Sequence, residues 1–186
     1  MGFELQYPLF LSFFLALLPF FTIAQTYRNI SLGSSLTAQE DNSSWASAFG
    51  HFAFGFRKIG QDGFLLAIWF NQIPERTIVW SANGGNLAPK GSKVELTSDG
   101  FLALNDPTGK VIWNTSSAGC GVAYAAMLDS GNFVLVGQDS RPLWKSFDQP
   151  TDTILPGQVI NQPGKLISRY SKTNYSSGRF QFALQD

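Results

Sequence analysis

The sequence predicts an all-β fold made of one small unit repeated three times. Three observations carry that reading. Tryptophans end strand-like runs at Ile78-Val79-Trp80-Ser81-Ala82-Asn83, Val111-Ile112-Trp113-Asn114-Thr115-Ser116 and Pro142-Leu143-Trp144-Lys145-Ser146-Phe147, with separations of 33 and 31 residues. A polar-Gly turn leading into an apolar run precedes each one by 14 to 18 residues: Asp62-Gly63-Phe64, Asp99-Gly100-Phe101 and Ser130-Gly131-Asn132. No window sustains a 3.6-residue apolar period with caps. A fixed period of this length marks a repeated supersecondary unit, and binding chemistry is then expected once per repeat, at equivalent positions.

Each element has its own signal. Phe49–Phe56 alternates, with Phe52, Phe54 and Phe56 on one face and His51, Ala53 and Gly55 on the other, the period of a strand with one buried aromatic face. Short strands are then predicted at Phe64–Phe70, Thr77–Ala82, Lys93–Thr97, Phe101–Leu104, Lys110–Trp113, Ala123–Leu128, Asn132–Val136 and Pro142–Lys145. Asn83-Gly84-Gly85-Asn86, Asp106-Pro107-Thr108-Gly109 and Ser117-Ala118-Gly119 supply turns between them. From Ser146 to Pro163 the chain is punctuated by Pro and Asp, which excludes a central strand. Lys165–Tyr170 and Arg179–Leu184 are two further strand candidates, too few to bury a sheet face by themselves. They either pack on the first domain or begin another.

The 44% hydrophobic content, with 17 Phe and 5 Trp, predicts an aromatic core. Thirteen basic residues balance thirteen acidic ones, so no basic stripe points to nucleic acid. Pro8 to Ala24 is apolar apart from Ser12 and Thr22, and Thr22-Ile23-Ala24 presents small residues before Gln25. This reads as a secretory signal peptide over 1–24, cut after Ala24, with no membrane span in the mature chain. A retained anchor is the rival, but the stretch is at the short limit for a spanning helix. Secretion agrees with four N-glycosylation sequons, at Asn29, Asn42, Asn114 and Asn174. Cys120 is the only cysteine, so no internal disulfide forms; an unpaired thiol is expected.

Enzyme chemistry is not marked. The sole histidine, His51, sits on an aromatic strand with no nucleophile indicated beside it. One His and one Cys do not make the usual N/S metal site, and no cofactor motif is present. Asn83-Gly84-Gly85-Asn86 is followed by no GK[ST] and no helix, so it is a turn and not a phosphate loop. What remains is a binding surface, in which Asp, Asn and Gln beside aromatic rings suit sugars. Carboxylates and amides hydrogen-bond hydroxyls, and rings cover apolar sugar faces. The plainer account of Asp62 and Asp99 is that they are ordinary turn residues before Gly.

Five stretches carry a family resemblance: Phe52-Ala53-Phe54-Gly55-Phe56, Ala67-Ile68-Trp69-Phe70, Ile73-Pro74-Glu75-Arg76-Thr77-Ile78-Val79-Trp80, Leu128-Asp129-Ser130-Gly131-Asn132-Phe133-Val134-Leu135, and Ser146-Phe147-Asp148-Gln149-Pro150-Thr151-Asp152-Thr153-Ile154-Leu155-Pro156-Gly157. The chain resembles the bulb-type (monocot mannose-binding) lectin domain, in the form found in the ectodomains of plant G-type lectin receptor-like kinases. The resemblance implies a β-prism II fold, with three four-stranded sheets around a pseudo-threefold axis filled by Trp80, Trp113 and Trp144, plus a short β extension. It places the lectin domain at 25–152. It makes 153–186 a connector and the incomplete start of a second lectin-like domain.

The family's mannose pocket follows the pattern Gln-x-Asp-x-Asn-x-Val-x-Tyr. Carried over, the first copy is Gly60, Asp62, Phe64, Leu66 and Ile68; the second is Thr97, Asp99, Phe101, Ala103 and Asn105; the third is Leu128, Ser130, Asn132, Val134 and Val136. On that alignment Gln and Tyr are absent throughout. Asp62, Asp99, Asn105 and Asn132 remain as carbohydrate-binding candidates. The implied function is extracellular, non-catalytic recognition of a mannose-type glycan or glycoprotein, as the sensing part of a receptor kinase or a truncated secreted relative. The alternative is a protein-interaction or dimerisation module that has lost sugar binding and meets a receptor partner.

Overall fold

A computed structural model describes residues 28–39, 43–61, 63–115 and 121–184. Residues 1–24, predicted as a signal peptide, lie outside the described residues, as do Asn42, Asp62 and Cys120. Three very short strands come first: β1 (Ile30–Ser31), β2 (Ser35–Thr37) and β3 (Ser44–Ala46). Three groups of three follow: β4 (Phe52–Ile59), β5 (Gly63–Phe70) and β6 (Ile78–Ser81); β7 (Lys93–Leu96), β8 (Leu102–Asn105) and β9 (Val111–Asn114); and β10 (Val122–Met127), β11 (Phe133–Gly137) and β12 (Pro142–Lys145). Each group forms an antiparallel meander, and each takes one opening strand as its fourth member. The sheets are β3-β4-β5-β6 (sheet 1), β2-β7-β8-β9 (sheet 2) and β1-β10-β11-β12 (sheet 3). The opening strands therefore stitch the three sheets together. At two or three residues each they are too short to show a period, and the sequence did not reveal them.

The pseudo-threefold symmetry extends to the pairing. Ile68 faces Trp80, Leu104 faces Trp113 and Leu135 faces Trp144. A bulge follows immediately in every sheet, at Ile68/Trp69, Leu104/Asn105 and Leu135/Val136. Such a bulge bends the strand and increases its twist, which helps three flat meanders wrap around one axis. On that axis the three indoles meet edge to face, with centroids 5.9, 6.1 and 6.1 Å apart at 73 to 77°. T-shaped packing sets a positive ring edge against a negative face, and three rings can satisfy it cyclically. The Trp80 indole N–H also donates to the Gln149 carbonyl at 2.7 Å.

A second threefold device escaped the sequence reading. Just beyond each tryptophan a buried polar side chain accepts the backbone N–H of the neighbouring strand: Asn83 from Leu66 (2.8 Å), Thr115 from Leu102 (3.0 Å) and Ser146 from Phe133 (2.9 Å). Three residue types do one job, so no motif shows. An unsatisfied buried amide costs roughly 1–3 kcal/mol, which is reason enough for a polar residue at this depth.

The core lies between the sheets. Phe54, Leu66, Ile68, Val94, Leu96, Leu102, Leu104, Met127, Phe133 and Leu135 are all buried. Trp45, on β3, stacks on Phe54 and Phe133 at 5.8 and 6.1 Å. The predicted aromatic face of β4 is present, with two differences. The strand begins at Phe52, because Phe49–His51 form a turn. Its opposite face is buried as well, since Ala53 joins a second cluster with Leu65, Ala67, Trp69 and Ile78.

After β12 a short 3-10 turn (Ser146–Asp148) leads into the connector. Leu155 packs where Gly131 lacks a side chain; a Cβ there would lie 2.4 Å from Leu155 Cδ1. The chain ends in a separate two-stranded sheet of β13 (Lys165–Arg169) and β14 (Ser177–Ala183). This hairpin is tied to the prism by Ile167 N–H to the Thr151 carbonyl (2.8 Å) and by Arg169 Nε to Asp152 (2.7 Å).

Candidate functional site

Strand pairing makes the three central strands equivalent residue by residue. Leu65, Ala67 and Trp69 on β5 correspond to Phe101, Ala103 and Asn105 along β8, and to Asn132, Val134 and Val136 along β11. The first copy of the sugar motif therefore slips by one residue from the sequence alignment. Ile68, placed there beside Asn105, is the inward residue facing Trp80. The corrected first copy is Gln61, Gly63, Leu65, Ala67 and Trp69, so a Gln does occupy the motif's first position and an aromatic its last. The slip arises from hairpin length. The β4–β5 hairpin continues three rungs past the Phe56–Leu66 pair, whereas β7–β8 and β10–β11 turn directly beyond Leu96–Leu102 and Met127–Phe133. Asp62, next to Gly63 in sequence, lies outside the described residues.

The outer faces of the three sheets differ in kind. On sheet 1 Leu65 and Ala67 are fully buried and Trp69 is 1% exposed. Leu87, Ile59 and Tyr175 pack against them, and the Arg57 guanidinium lies over the Trp69 ring, 5.5 Å from its centroid. Burial, reinforced by the nearby positive charge of Arg76, lowers the Arg57 pKa from its ordinary value. On sheet 3 Ala126, Val134 and Val136 form an apolar patch with Tyr124 and Leu128. Asn132 is buried, and its Oδ1 accepts from Ser146 Oγ and Phe147 N–H, both at 3.2 Å. It clips β11 to the turn after β12.

Sheet 2 is open. Phe101 is 38% exposed and Asp99 is exposed at the hairpin tip. Asn105 is half-buried, and its Oδ1 is buried with no hydrogen-bond partner among the described residues. Beside it, the Lys93 ammonium pairs with the Glu95 carboxylate; Lys93 faces Asn105 and Glu95 faces Ala103 across the ladder. One face thus offers a carboxylate at the tip, a half-buried amide, an ion pair and an exposed aromatic ring. Such groups hydrogen-bond hydroxyls and cover a sugar's apolar face. Asp99 and Asn105 share this face; Asn132 does not.

Residues 77–173 match the family model described as D-mannose binding lectin. The chain belongs to this lectin family. Its matched region runs from β6 to just beyond β13. The lectin chain is 46% identical over 186 residues to the G-type lectin S-receptor-like serine/threonine-protein kinase RLK1 of Arabidopsis thaliana, covering 92% of this chain and 22% of that protein. It is 46% identical to LECRK2, a kinase of the same description from Oryza sativa subsp. indica, covering 88% of this chain and 21% of that one. The lectin chain therefore spans about a fifth of the length of these curated relatives. Among solved structures, a monomeric monocot mannose-binding lectin from Gastrodia elata aligns with a TM-score of 0.48 and 21% identity, over 63% of this chain and 94% of that one. The three Trp-centred sheets are the β-prism arrangement of bulb-type lectins. Among the described residues no helix is long and apolar enough to cross a membrane.

Proposed function

We propose that this lectin domain is an extracellular, non-catalytic recognition module that binds a mannose-type glycan on the outer face of sheet 2. Asp99 and Asn105 are its polar contacts, and Phe101 covers the apolar side of the sugar. The observation that carries this reading is that Asp99 and Phe101 are exposed beside the half-buried Asn105 on the one outer face that is neither sealed nor apolar. Only part of the family's polar set is present, so affinity is expected in the millimolar range, roughly 4 kcal/mol. Titration of the full chain with methyl α-mannoside, followed by a glycan array, tests this. The sheet 2 component of binding should be lost in Asp99→Ala and Asn105→Ala, and an array without any bound glycan would sink the reading.

Residues 1–24 are proposed as a secretory signal peptide. Asn29, Asn114 and Asn174 are exposed, which supports their use as glycosylation sites; Asn42 carries the same sequon. Residues 25–152 form the lectin domain in this reading, and 153–186 the connector and opening of a further β module. Phe180 is 79% exposed, with Phe182 and Leu184 also exposed on the terminal hairpin, which supports continuation into such a module. By relation to the receptor-like kinases, the domain would serve as a receptor's sensing head or as a secreted relative of one.

A second reading, a protein-interaction module, draws on Phe49. Its ring is 66% exposed, while its N–H donates to the Asp129 carboxylate and its carbonyl accepts from Gln72 Nε2 at 2.9 Å. An aromatic displayed on a fixed loop loses little entropy on binding a partner. Phe49→Ala would abolish capture of such a partner and leave sugar binding intact.

A further inference from the structure

We propose that the cleft between β6 and the β13–β14 hairpin is a second saccharide site, separate from the sheet faces and sized for one sugar residue. It shares a ligand class with the proposed function but none of the residues of sheet 2. The cleft has a volume of about 260 Å³. Its polar lining comes from Ser81 on the prism edge, Thr151 and Asp152 just after the 3-10 turn, and Ser168, Arg169 and Ser177 on the hairpin. Ile78, Ile167 and Tyr175 supply its apolar surface.

The polar groups are only partly used. Asp152 accepts from Arg169 Nε through Oδ2 (2.7 Å) and from Thr153 Oγ1 through Oδ1 (2.9 Å); each carboxylate oxygen can accept a further bond. Arg169 has one of its five N–H groups in that contact, and its guanidinium lies 4.9 Å from the Tyr175 ring centroid. Gly84 and Gly85, also on the wall, make no backbone hydrogen bond through their N–H groups among the described residues. Donors and acceptors thus converge in one small space. The carboxylate disfavours an anion and the guanidinium disfavours a cation. A neutral polyol offers both donors and acceptors, and the pyranose ring adds an apolar face for Tyr175 and the isoleucines. Drug-sized ligands occupy pockets of roughly 300–1,000 Å³, so the volume favours a single ring or a chain end.

The cleft is also preorganised. A Cβ at Gly84 would lie 2.2 Å from the Tyr175 carbonyl, so the hairpin is seated against the prism backbone at this point. Fixed walls reduce the ordering cost of binding. A cleft between two β units is moreover a common location for small-molecule sites.

Gly85 provides the test. A Cβ there meets no atom within 4 Å and Gly85 lines the cleft, so Gly85→Leu adds a side chain at the cleft wall with nothing to displace. Saturation-transfer NMR on the full chain would use the methyl glycosides of mannose, glucose and galactose, with the melting temperature recorded for every variant. The expected result is that at least one glycoside still binds Asn105→Ala, in which the sheet 2 site is removed, and that adding Gly85→Leu to that variant abolishes this binding at unchanged melting temperature. Arg169→Lys keeps a charge for Asp152 but removes the planar fork, and should weaken binding roughly tenfold. Undiminished binding in the double variant would overturn the cleft site; a signal that Asn105→Ala alone removes would overturn it too and leave the sheet 2 reading standing by itself. Absence of binding by all three glycosides would overturn the cleft as well.

Discussion

Sheet 1 and sheet 2 share strand order, register, bulge and central tryptophan, yet their outer faces have opposite fates. At equivalent positions stand Trp69, sealed under Tyr175 and Arg57, and Asn105, half-open with an idle oxygen. The inner faces agree because they pack against the same axis. The outer faces differ because only sheet 1 receives the C-terminal segment. A repeat thus preserves what its neighbours touch and leaves the rest free to become either a second core or a binding surface.

The largest expected effect is at the sealed position. Trp69→Ala should cost about 3–5 kcal/mol, the range for deleting a buried aromatic, whereas Asn105→Val should be neutral or stabilising by about 1 kcal/mol, since it removes an unpaired buried acceptor. Urea unfolding of both variants checks the contrast; similar losses would erase the distinction between the faces. Gly84→Ala comes next. The new methyl meets the Tyr175 backbone, which cannot rotate away as a side chain can, and about 1–3 kcal/mol is expected, as for overpacking. Faster proteolysis after β12 would show that the tail has lifted from sheet 1.

A smaller loss is expected on breaking the latch. Asp152 and Arg169 are 15% and 30% exposed, between the surface and buried regimes, so Asp152→Asn should cost on the order of 1 kcal/mol. The loss should appear in the hairpin's amide exchange before it appears in the prism's. The smallest effect concerns Asp106, in the β8–β9 turn of sheet 2. Its carboxylate accepts from Thr108 Oγ1 (2.6 Å), Thr108 N–H and Lys110 N–H. Chiefly through the Thr108 hydroxyl, these hold its pKa below the ordinary value. A depressed carboxylate stabilises the fold above its unfolded pKa, and that contribution disappears as pH falls through the folded value. Acid unfolding of Asp106→Asn should therefore lack this component, while its stability near neutrality should fall only slightly.

Much of the prism was legible beforehand, and for local reasons. Phe52, Phe54 and Phe56 alternate, Gly100 and Gly131 mark matching turns with φ of +84° and +88°, and Trp80, Trp113 and Trp144 recur. The site was less legible. The slip in the first copy came from a hairpin three rungs longer; its turn stands 18 residues before Trp80 against 14 in the other two repeats, and spacing alone does not divide that excess between the hairpin and the loop after it. Asn132 read as a ligand candidate, yet its oxygen is engaged by Ser146 and Phe147, fourteen and fifteen residues away. The equivalence of Asn83, Thr115 and Ser146 is invisible in letters because any short acceptor can fill that place.

The sequence by itself determined the β class, the threefold repeat and the tryptophan centre, because alternation and turn chemistry act between near neighbours. Only the tertiary structure decided which outer face stays open. That choice depends on where Tyr175 lands, roughly a hundred residues from the strand it packs against, and no local pattern records so distant a contact.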